Sequence, residues 1–283
     1  MSFSPQSIAD YYDQTQIHYR YFWQLNRFQT LHYGLWLPGT TDLGTALLHT
    51  NQHLADLAEL KLGEKVLDAG CGLGGPALWL AQNYQCQVTG LTLSQRQVQQ
   101  ANQRAASDQL DHLCQFLQAD YRSCPVPDHS QDLIWAIEAH ASEVDKQAFV
   151  EEAGRVLNPV SGRLVMADYF LREDRLNSKE QGLMKEWLNH WAISDLCRQS
   201  AYQNWLQTAG FTRWEWVDVS HLILPSARRL YWASQWGRIG TWAYNLYRRA
   251  TPFSRTHYRA GLAQDRALRQ GLWQYYLLAA WRD

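Results

Sequence analysis

The spacing of apolar residues along the chain changes near residue 61. Before it, residues 5–60 carry aromatic and aliphatic side chains at helical spacing, with one apolar face through 43–60. After it, short apolar runs alternate with amphipathic segments, which is typical of strands joined by crossover helices. The pattern predicts an α/β fold with a mostly parallel sheet, preceded by a helical segment.

The elements of this sheet can be placed from residue 65 onward. Strands are predicted near 65–69, 87–91, 113–118, 131–137 and 162–168, and helices near 76–84, 95–107 and 145–157. Beyond them, 171–205 and 225–270 are predicted to be helical and 272–280 to form a last strand. Ligands of open α/β sheets bind at the carboxyl ends of the parallel strands. Polar residues stand at all five predicted ends: Asp68, Thr92, Asp120, Glu138 and Asp168.

The turn after the first strand is rich in glycine. In the run Val66–Pro76, Asp68 is followed by four glycines within six residues, and Pro76 opens a helix. Glycine permits positive φ and lets a ligand approach the backbone, and proline suits the first helical turn. The run therefore predicts a strand, a ligand-binding turn and a helix.

Two cofactor classes use such a turn. Gly70, Gly72 and Gly75 match the dinucleotide fingerprint, whereas Asp68 followed by alternate glycines matches the loop of S-adenosylmethionine (SAM) enzymes. A dinucleotide fold places an acid about 20 residues further on, for the ribose. Here the second strand runs into Thr92-Leu93-Ser94 without an acid, which favours SAM over NAD.

Residues 66–81 resemble motif I of class I SAM-dependent methyltransferases. Segments 90–97, 118–121 and 135–140 are similar to the subgroup of sterol C-24 and γ-tocopherol C-methyltransferases, with cyclopropane fatty acid synthases slightly more distant. The likeness spans about residues 8–220. It implies a Rossmann-like, seven-stranded, mostly parallel sheet with an antiparallel last strand. It also implies one domain over 1–283, with a helical lid at 1–60, a SAM-binding core at 61–170, and acceptor-side insertions and final strands at 171–283.

The cofactor contacts are predicted from the loop and from the resemblance. The loop provides Asp68, Ala69, Gly70 and Gly72. The resemblance implies that Thr92, Leu93 and Gln97 contact ribose and adenosine, and that Asp120, with Ala119 and Tyr121 nearby, accepts from the adenine amino group. From the lid, Tyr11, Tyr19 and Tyr33 are candidates for contacts to SAM or to the acceptor. Asp120 could equally cap a turn, and the lid tyrosines could form an aromatic seam with the core.

The candidate catalytic residues follow the fourth strand, where the resembling family has residues near the reacting centre. Glu138 could pair with a cation or take a proton, and the ordinary histidine pKa suits His140 to general-base work. The alternative is that Glu138 caps a turn and His140 is a packing residue. His140 also stands where sterol enzymes commonly have a small residue, which weakens the case for a sterol acceptor.

Composition narrows the class of protein. The chain has 283 residues, 46% of them hydrophobic, and a net charge of -1, which argues against nucleic acid as a partner. Its five cysteines are odd in number and include no C-x-x-C pair, which predicts neither disulfides nor zinc and suits a cytoplasmic location. His49 and His53 are four residues apart without a clear third ligand, so no metal site is predicted.

The last part of the chain is locally basic. Residues 221–283 contain ten arginines against Asp265 and Asp283. Arginine suits phosphate contacts, so a prenyl diphosphate or an anionic membrane surface fits this region, with a solvated helical face as the alternative.

We predict a SAM-dependent methyltransferase acting on a small lipophilic acceptor, with or without a phosphate or diphosphate. C-methylation of an isoprenoid or prenylated compound is the leading interpretation, since aromatic faces stabilise the carbocation formed from an alkene. The fourteen tryptophans and fifteen tyrosines fit such a pocket, and they also fit a large aromatic core. An O- or N-methyltransferase with His140 as base is the first alternative, and a non-catalytic SAM-binding protein is the second.

Overall fold

The computed structural model describes residues 28–143, 145–191, 193–247 and 252–282. Residues 1–27 of the predicted lid, including Tyr11 and Tyr19, lie outside the described part of the chain. Within them, seven strands are β1 (Lys65–Ala69), β2 (Gln87–Thr92), β3 (Cys114–Gln118), β4 (Leu133–Ile137), β5 (Arg163–Leu171), β6 (Arg213–Asp218) and β7 (Trp273–Trp281). Eight helices are α1 (Leu43–Leu57), α2 (Gly75–Tyr84), α3 (Gln95–Ser107), α4 (Lys146–Val156), α5 (Ser178–His190), α6 (Gln199–Thr208), α7 (Leu224–Tyr247) and α8 (Pro252–Arg269).

The strands form one sheet in the order β3-β2-β1-β4-β5-β7-β6. Strands β1 to β5 are parallel, and β7 runs antiparallel to both β5 and β6. From β1 the chain adds β2 and then β3 on one side of the sheet, and it then adds β4 on the other side of β1. The switch point therefore lies between the carboxyl ends of β1 and β4, where such sheets bind ligands. The predicted fold class is confirmed.

The helices begin and end for local reasons. Asp42 caps α1 by accepting from Thr45 N, Ser94 caps α3 in the same way, and Asn177 forms a capping box with Glu180 at the start of α5. The prediction that 171–205 is helical is wrong in part, because these residues include the end of β5 and parts of two separate helices.

Strand β5 is longer than the sequence predicts. Its ladder to β7 continues to the pair Leu171–Trp273, three residues beyond the expected end at 168. Asp168 therefore lies inside β5 and not at a strand end. Its carboxylate is buried and accepts from His140 N at 3.0 Å and Ala141 N at 3.1 Å, so it holds the loop that follows β4.

Candidate active site

Three glycines with positive φ shape the loop after β1, and they have different tasks. A Cβ on Gly70 would overlap Ala139 Cβ, and one on Gly74 would lie 2.7 Å from Phe116 Cζ. A Cβ on Gly72 would meet no atom of the described residues within 4 Å. Gly70 and Gly74 thus permit close packing, whereas Gly72 borders open space at the switch point.

The clash at Gly70 gives a first testable expectation. Gly70→Ala adds a side chain at φ +82° and against Ala139, so we expect a loss of about 2–4 kcal/mol in the free energy of unfolding. Urea unfolding measures it. An unchanged midpoint would show that the loop after β4 can move away freely.

One backbone donor in the first turn of α2 is occupied within the chain. Gly75 N donates to Gln29 O at 3.2 Å, so the segment entering from residue 28 covers the start of this helix. A dinucleotide places its pyrophosphate at such a helix start. The occupied donor therefore agrees with the missing acid after β2, and both disfavour NAD.

Asp68, at the end of β1, is a buried carboxylate. Burial raises the pKa of its carboxyl to about 7, and its Oδ2 atom has no partner among the described residues. A buried polar atom without a partner is costly unless a ligand or water supplies one. The oxygen suits a cationic donor such as the ammonium group of SAM.

The turn after β2 is ordered without an acid. Thr92 Oγ1 donates to Gln97 Oε1 at 2.6 Å, and Ser94 Oγ accepts from Gln97 N at 3.2 Å. Leu93 O accepts from Gln118 Nε2 at 3.0 Å. The predicted residues Thr92, Leu93 and Gln97 thus lie together at one end of the sheet.

Asp120 has a partner that the sequence reasoning missed. Arg122 contacts both of its carboxylate oxygens, with Nη2 at 2.6 Å and Nε at 3.1 Å, and Arg122 N donates to it at 2.9 Å. Burial alone would raise the pKa of Asp120, but the bonds from Arg122 hold it below its usual value. Asp120 therefore caps a turn, which is the alternative role given for it from the sequence. An adenine amino group bound there would share the carboxylate with Arg122.

The neighbours of Asp120 connect this turn to the rest of the site. Ala119 N donates to Thr92 O at 3.1 Å, and Tyr121 OH donates to Ala139 O at 3.0 Å. The ends of β2, β3 and β4 are thereby held to one another.

Glu138 lies at the centre of an aromatic cluster. Its Oε1 accepts from Tyr33 N at 2.6 Å and Tyr275 OH at 2.8 Å, and its Oε2 accepts from Tyr169 OH. The three tyrosine rings meet edge to face, with centroids 5.4–6.0 Å apart. Burial raises the pKa of Glu138 to about 8, although the hydrogen bonds from the tyrosines act to lower it. Its backbone is left-handed, with φ +49°, a strain that clusters at functional sites.

Tyr33 lies against Glu138, whose Oε1 accepts from its backbone N–H. Its hydroxyl donates to Gln264 Oε1 on α8, and Trp273 Nε1 donates to Gln264 O at 3.3 Å. Tyr33 therefore connects α8 to Glu138, and its predicted contact with SAM or with the acceptor stays a prediction. Sequence reasoning missed Tyr275 and Gln264 in this cluster. Tyr275 was only part of a predicted strand, and Gln264 carried no signal at all.

His140 does not face the same cluster. Its ring packs at 4.9 Å from Tyr202 and 5.5 Å from Phe149, on α6 and α4, and it is buried. Burial, aided by the charge of Lys146, holds its pKa well below 6.5. These contacts favour the alternative that His140 is a packing residue over its prediction as a catalytic base.

A substitution tests this alternative. We expect His140→Leu to lower thermal stability while leaving the pH dependence of methyl transfer unchanged, because the ring packs and does not titrate in the working range. If the pH dependence were lost instead, His140 would be the base. Initial rates between pH 6 and 9 decide between the two.

The sheet, with β7 antiparallel between β5 and β6, and the acid-led loop at its switch point define a class I SAM-dependent methyltransferase. The chain belongs to this family of enzymes, and its cofactor is SAM. A family model described as "Methyltransferase domain" matches residues 66–160. Tocopherol, sterol and cyclopropane-forming enzymes are among the matches, which confirms the resemblance of the motifs.

Two relatives and one solved structure illustrate the likeness. The chain is 34% identical over 198 residues to 27-O-demethylrifamycin SV methyltransferase of Amycolatopsis mediterranei (strain S699), covering 70% of this chain and 72% of that protein. It is 34% identical over 231 residues to 2-methyl-6-phytyl-1,4-hydroquinone methyltransferase of Synechocystis sp. (strain ATCC 27184 / PCC 6803 / Kazusa), covering 79% and 70%. The fold matches geranyl diphosphate C-methyltransferase from Streptomyces coelicolor A3(2) with a TM-score of 0.76 at 19% identity, over 99% of this chain and 97% of that one.

Proposed function

We propose that the protein methylates a carbon atom of an isoprenoid or prenylated acceptor and that Glu138 removes the proton. The observation that carries the proposal is the Glu138 carboxylate, enclosed by three tyrosines. A carboxylate offers about four acceptor positions. Tyr33, Tyr169 and Tyr275 use three of them, so one position on Oε2 is left for a proton from the acceptor.

The bonds that change fit this arrangement. Bound SAM supplies an electrophilic methyl group, so its S–CH₃ bond breaks as a C–CH₃ bond forms with the electron pair of a double bond or an electron-rich ring. The acceptor becomes a cation, which aromatic faces stabilise by up to about 2 kcal/mol when water is excluded. Glu138 then takes the C–H proton, and the electrons of that bond restore the double bond. A carboxylate with a raised pKa suits this proton transfer.

The acceptor class is supported by the relatives and by the cluster itself. One relative is named for a phytyl hydroquinone, which carries both a prenyl chain and an electron-rich ring. We propose a cytoplasmic enzyme, since all five cysteines are free and buried. Peripheral contact with a membrane through the C-terminal part of the chain belongs to the same proposal. Among the described helices, none is long and apolar enough to cross a bilayer.

Methylation of oxygen is the second candidate. It is favoured by the relative named as a 27-O-demethylrifamycin SV methyltransferase. In that reaction Glu138 would take the proton of a hydroxyl, and no carbocation would form. The aromatic cluster would then only bind the acceptor, and its rings would have no carbocation to stabilise.

Labelled SAM tests the proposal directly. The protein is incubated with a prenylated hydroquinone, a prenyl diphosphate, and the same hydroquinone without its prenyl chain. We expect label in a prenylated compound, in a methyl group that resists reagents that cleave methyl ethers and methylamines. Label lost to these reagents would assign a heteroatom. Binding of SAM without a labelled product in these compounds or in lipid extracts would contradict the proposal.

A further inference from the structure

One face of α7 exposes large apolar side chains to solvent. Leu224, Trp232 and Trp236 are 43%, 61% and 69% exposed, and Arg228 between them is also exposed. Residues four apart lie on the same side of a helix, so these four form one stripe. Three residues on the opposite side, Ala227, Leu230 and Ala233, are buried. Packing therefore fixes which face of α7 points outward.

Two exposed tryptophans one turn apart are unusual. Single exposed apolar residues are ordinary, but a contiguous apolar patch marks a binding surface. Trp232 and Trp236 are the tryptophans among the highly exposed apolar side chains of the described chain. Tryptophan is favoured where an apolar phase meets water, because its indole ring is mostly apolar and carries one N–H donor.

The segment of the sequence that contains this stripe carries charges of a single sign. Residues 219–264 contain seven arginines and no aspartate or glutamate. Exposed arginines extend their aliphatic stems along an apolar surface and reach phosphate groups with the guanidinium. A surface with phosphate groups outside and hydrocarbon beneath complements this arrangement.

The stripe is connected to the candidate active site through the inner side of α7. Ser226 Oγ accepts from Trp36 Nε1 at 2.8 Å and from Gly34 N at 3.3 Å. Gly34 follows Tyr33, which contacts Glu138. The outward face of α7 is therefore one helix away from the loop that carries Tyr33.

We propose that the outer stripe of α7, formed by Leu224, Arg228, Trp232 and Trp236, docks on an anionic lipid surface. The inference rests on the proposed function, because an acceptor with a long prenyl chain partitions into a membrane. Helix α7 lies along the surface, with the tryptophans at the level of the lipid headgroups and Arg228 beside their phosphates. Docking there brings the aromatic cluster next to the source of its acceptor.

Vesicle flotation of the full chain tests this surface. We expect binding to vesicles of phosphatidylcholine with 30% phosphatidylglycerol, and weak binding to phosphatidylcholine alone. The variant with both Trp232→Ala and Trp236→Ala should bind about tenfold more weakly or worse, and Arg228→Gln about fivefold more weakly. Leu62→Ala with Val160→Ala is the matched control, since these side chains are 74% and 72% exposed at other sites, and it should bind as the wild type.

The outcomes separate this surface from the active site. Equal binding by the double tryptophan variant and the wild type would overturn the proposal, as would wild-type protein that floats with neither vesicle. The proposal would also be overturned if gel filtration showed that the tryptophan pair mediates self-association of the protein and the protein did not bind lipid. Vesicle binding needs no methyl transfer, so a failed methylation assay leaves this result readable. A short-chain, water-soluble acceptor should be methylated equally by the wild type and the tryptophan variant.

Discussion

The Glu138→Gln variant is expected to bind SAM as the wild type does and to transfer methyl groups about 10²–10⁴-fold more slowly. Glutamine keeps the size of the side chain and an oxygen for the Tyr33 N–H, which lies 2.6 Å from Glu138 Oε1. What it loses is the ability to take a proton. Calorimetry with SAM and single-turnover rates measure the two quantities separately.

The pH dependence provides a readout that a structural role would not change. Burial raises the pKa of Glu138 to about 8, and only the ionised form can act as base. In the wild type, kcat/KM should therefore rise with pH to a midpoint near 8, and this rise should be absent in Glu138→Gln. Tyr275→Phe removes a hydrogen bond that favours the ionised form, so its midpoint should move to higher pH. An unchanged rise in Glu138→Gln would exclude Glu138 as the base.

The Gly72→Arg variant is expected to lose measurable SAM binding while remaining folded. A Cβ at Gly72 meets no described atom within 4 Å, so the added side chain enters the open space of the glycine loop without a clash with the described core. Its backbone has φ +54°, which costs a side chain about 1–2 kcal/mol. Calorimetry should show a loss of at least about 100-fold in affinity, and circular dichroism should show native secondary structure.

Gly63→Arg is the matched control for this variant. Gly63 has φ +75° and no described atom within 4 Å of its Cβ position, and it precedes the amino end of β1, whereas Gly72 follows the carboxyl end. The same backbone strain and the same side chain are introduced there. SAM binding retained by Gly63→Arg and lost by Gly72→Arg assigns the effect to the cofactor site. Equal losses of SAM affinity in the two variants would attribute the effect to backbone strain.

The cofactor half was accessible to sequence reasoning because it is local. The loop from Asp68 to Pro76 and the acid-free turn at Thr92 each depend on residues adjacent in the chain. Strand and helix limits there agree with the structure to within about two residues. The long β5 was missed, because its last residues are strand only through pairing with β7, more than 100 residues later.

The acceptor half was less accessible because it depends on distant contacts. Glu138 was predicted from its position after a strand, but nothing in the sequence connects it to Tyr275. His140 carries a chemistry that suits catalysis, and only burial between Phe149 and Tyr202 shows that it packs. The ion pair of Arg122 with Asp120 is local in sequence, and attention to charges two residues apart in a turn could have found it.

The chain of contacts from Gln264 through Tyr33 to Glu138 also has a consequence for the order of folding. Its hydrogen bonds join residues 231 and 105 positions apart. Closing such long loops is entropically costly, and contacts of this kind tend to form late. In the glycine loop, by contrast, Gly70 N and Cys71 N donate to Leu91 O of the neighbouring strand β2, about 20 residues away. During refolding we therefore expect affinity for SAM to return before methyl transfer does, so the last native contacts to form would be the ones that make the protein an enzyme.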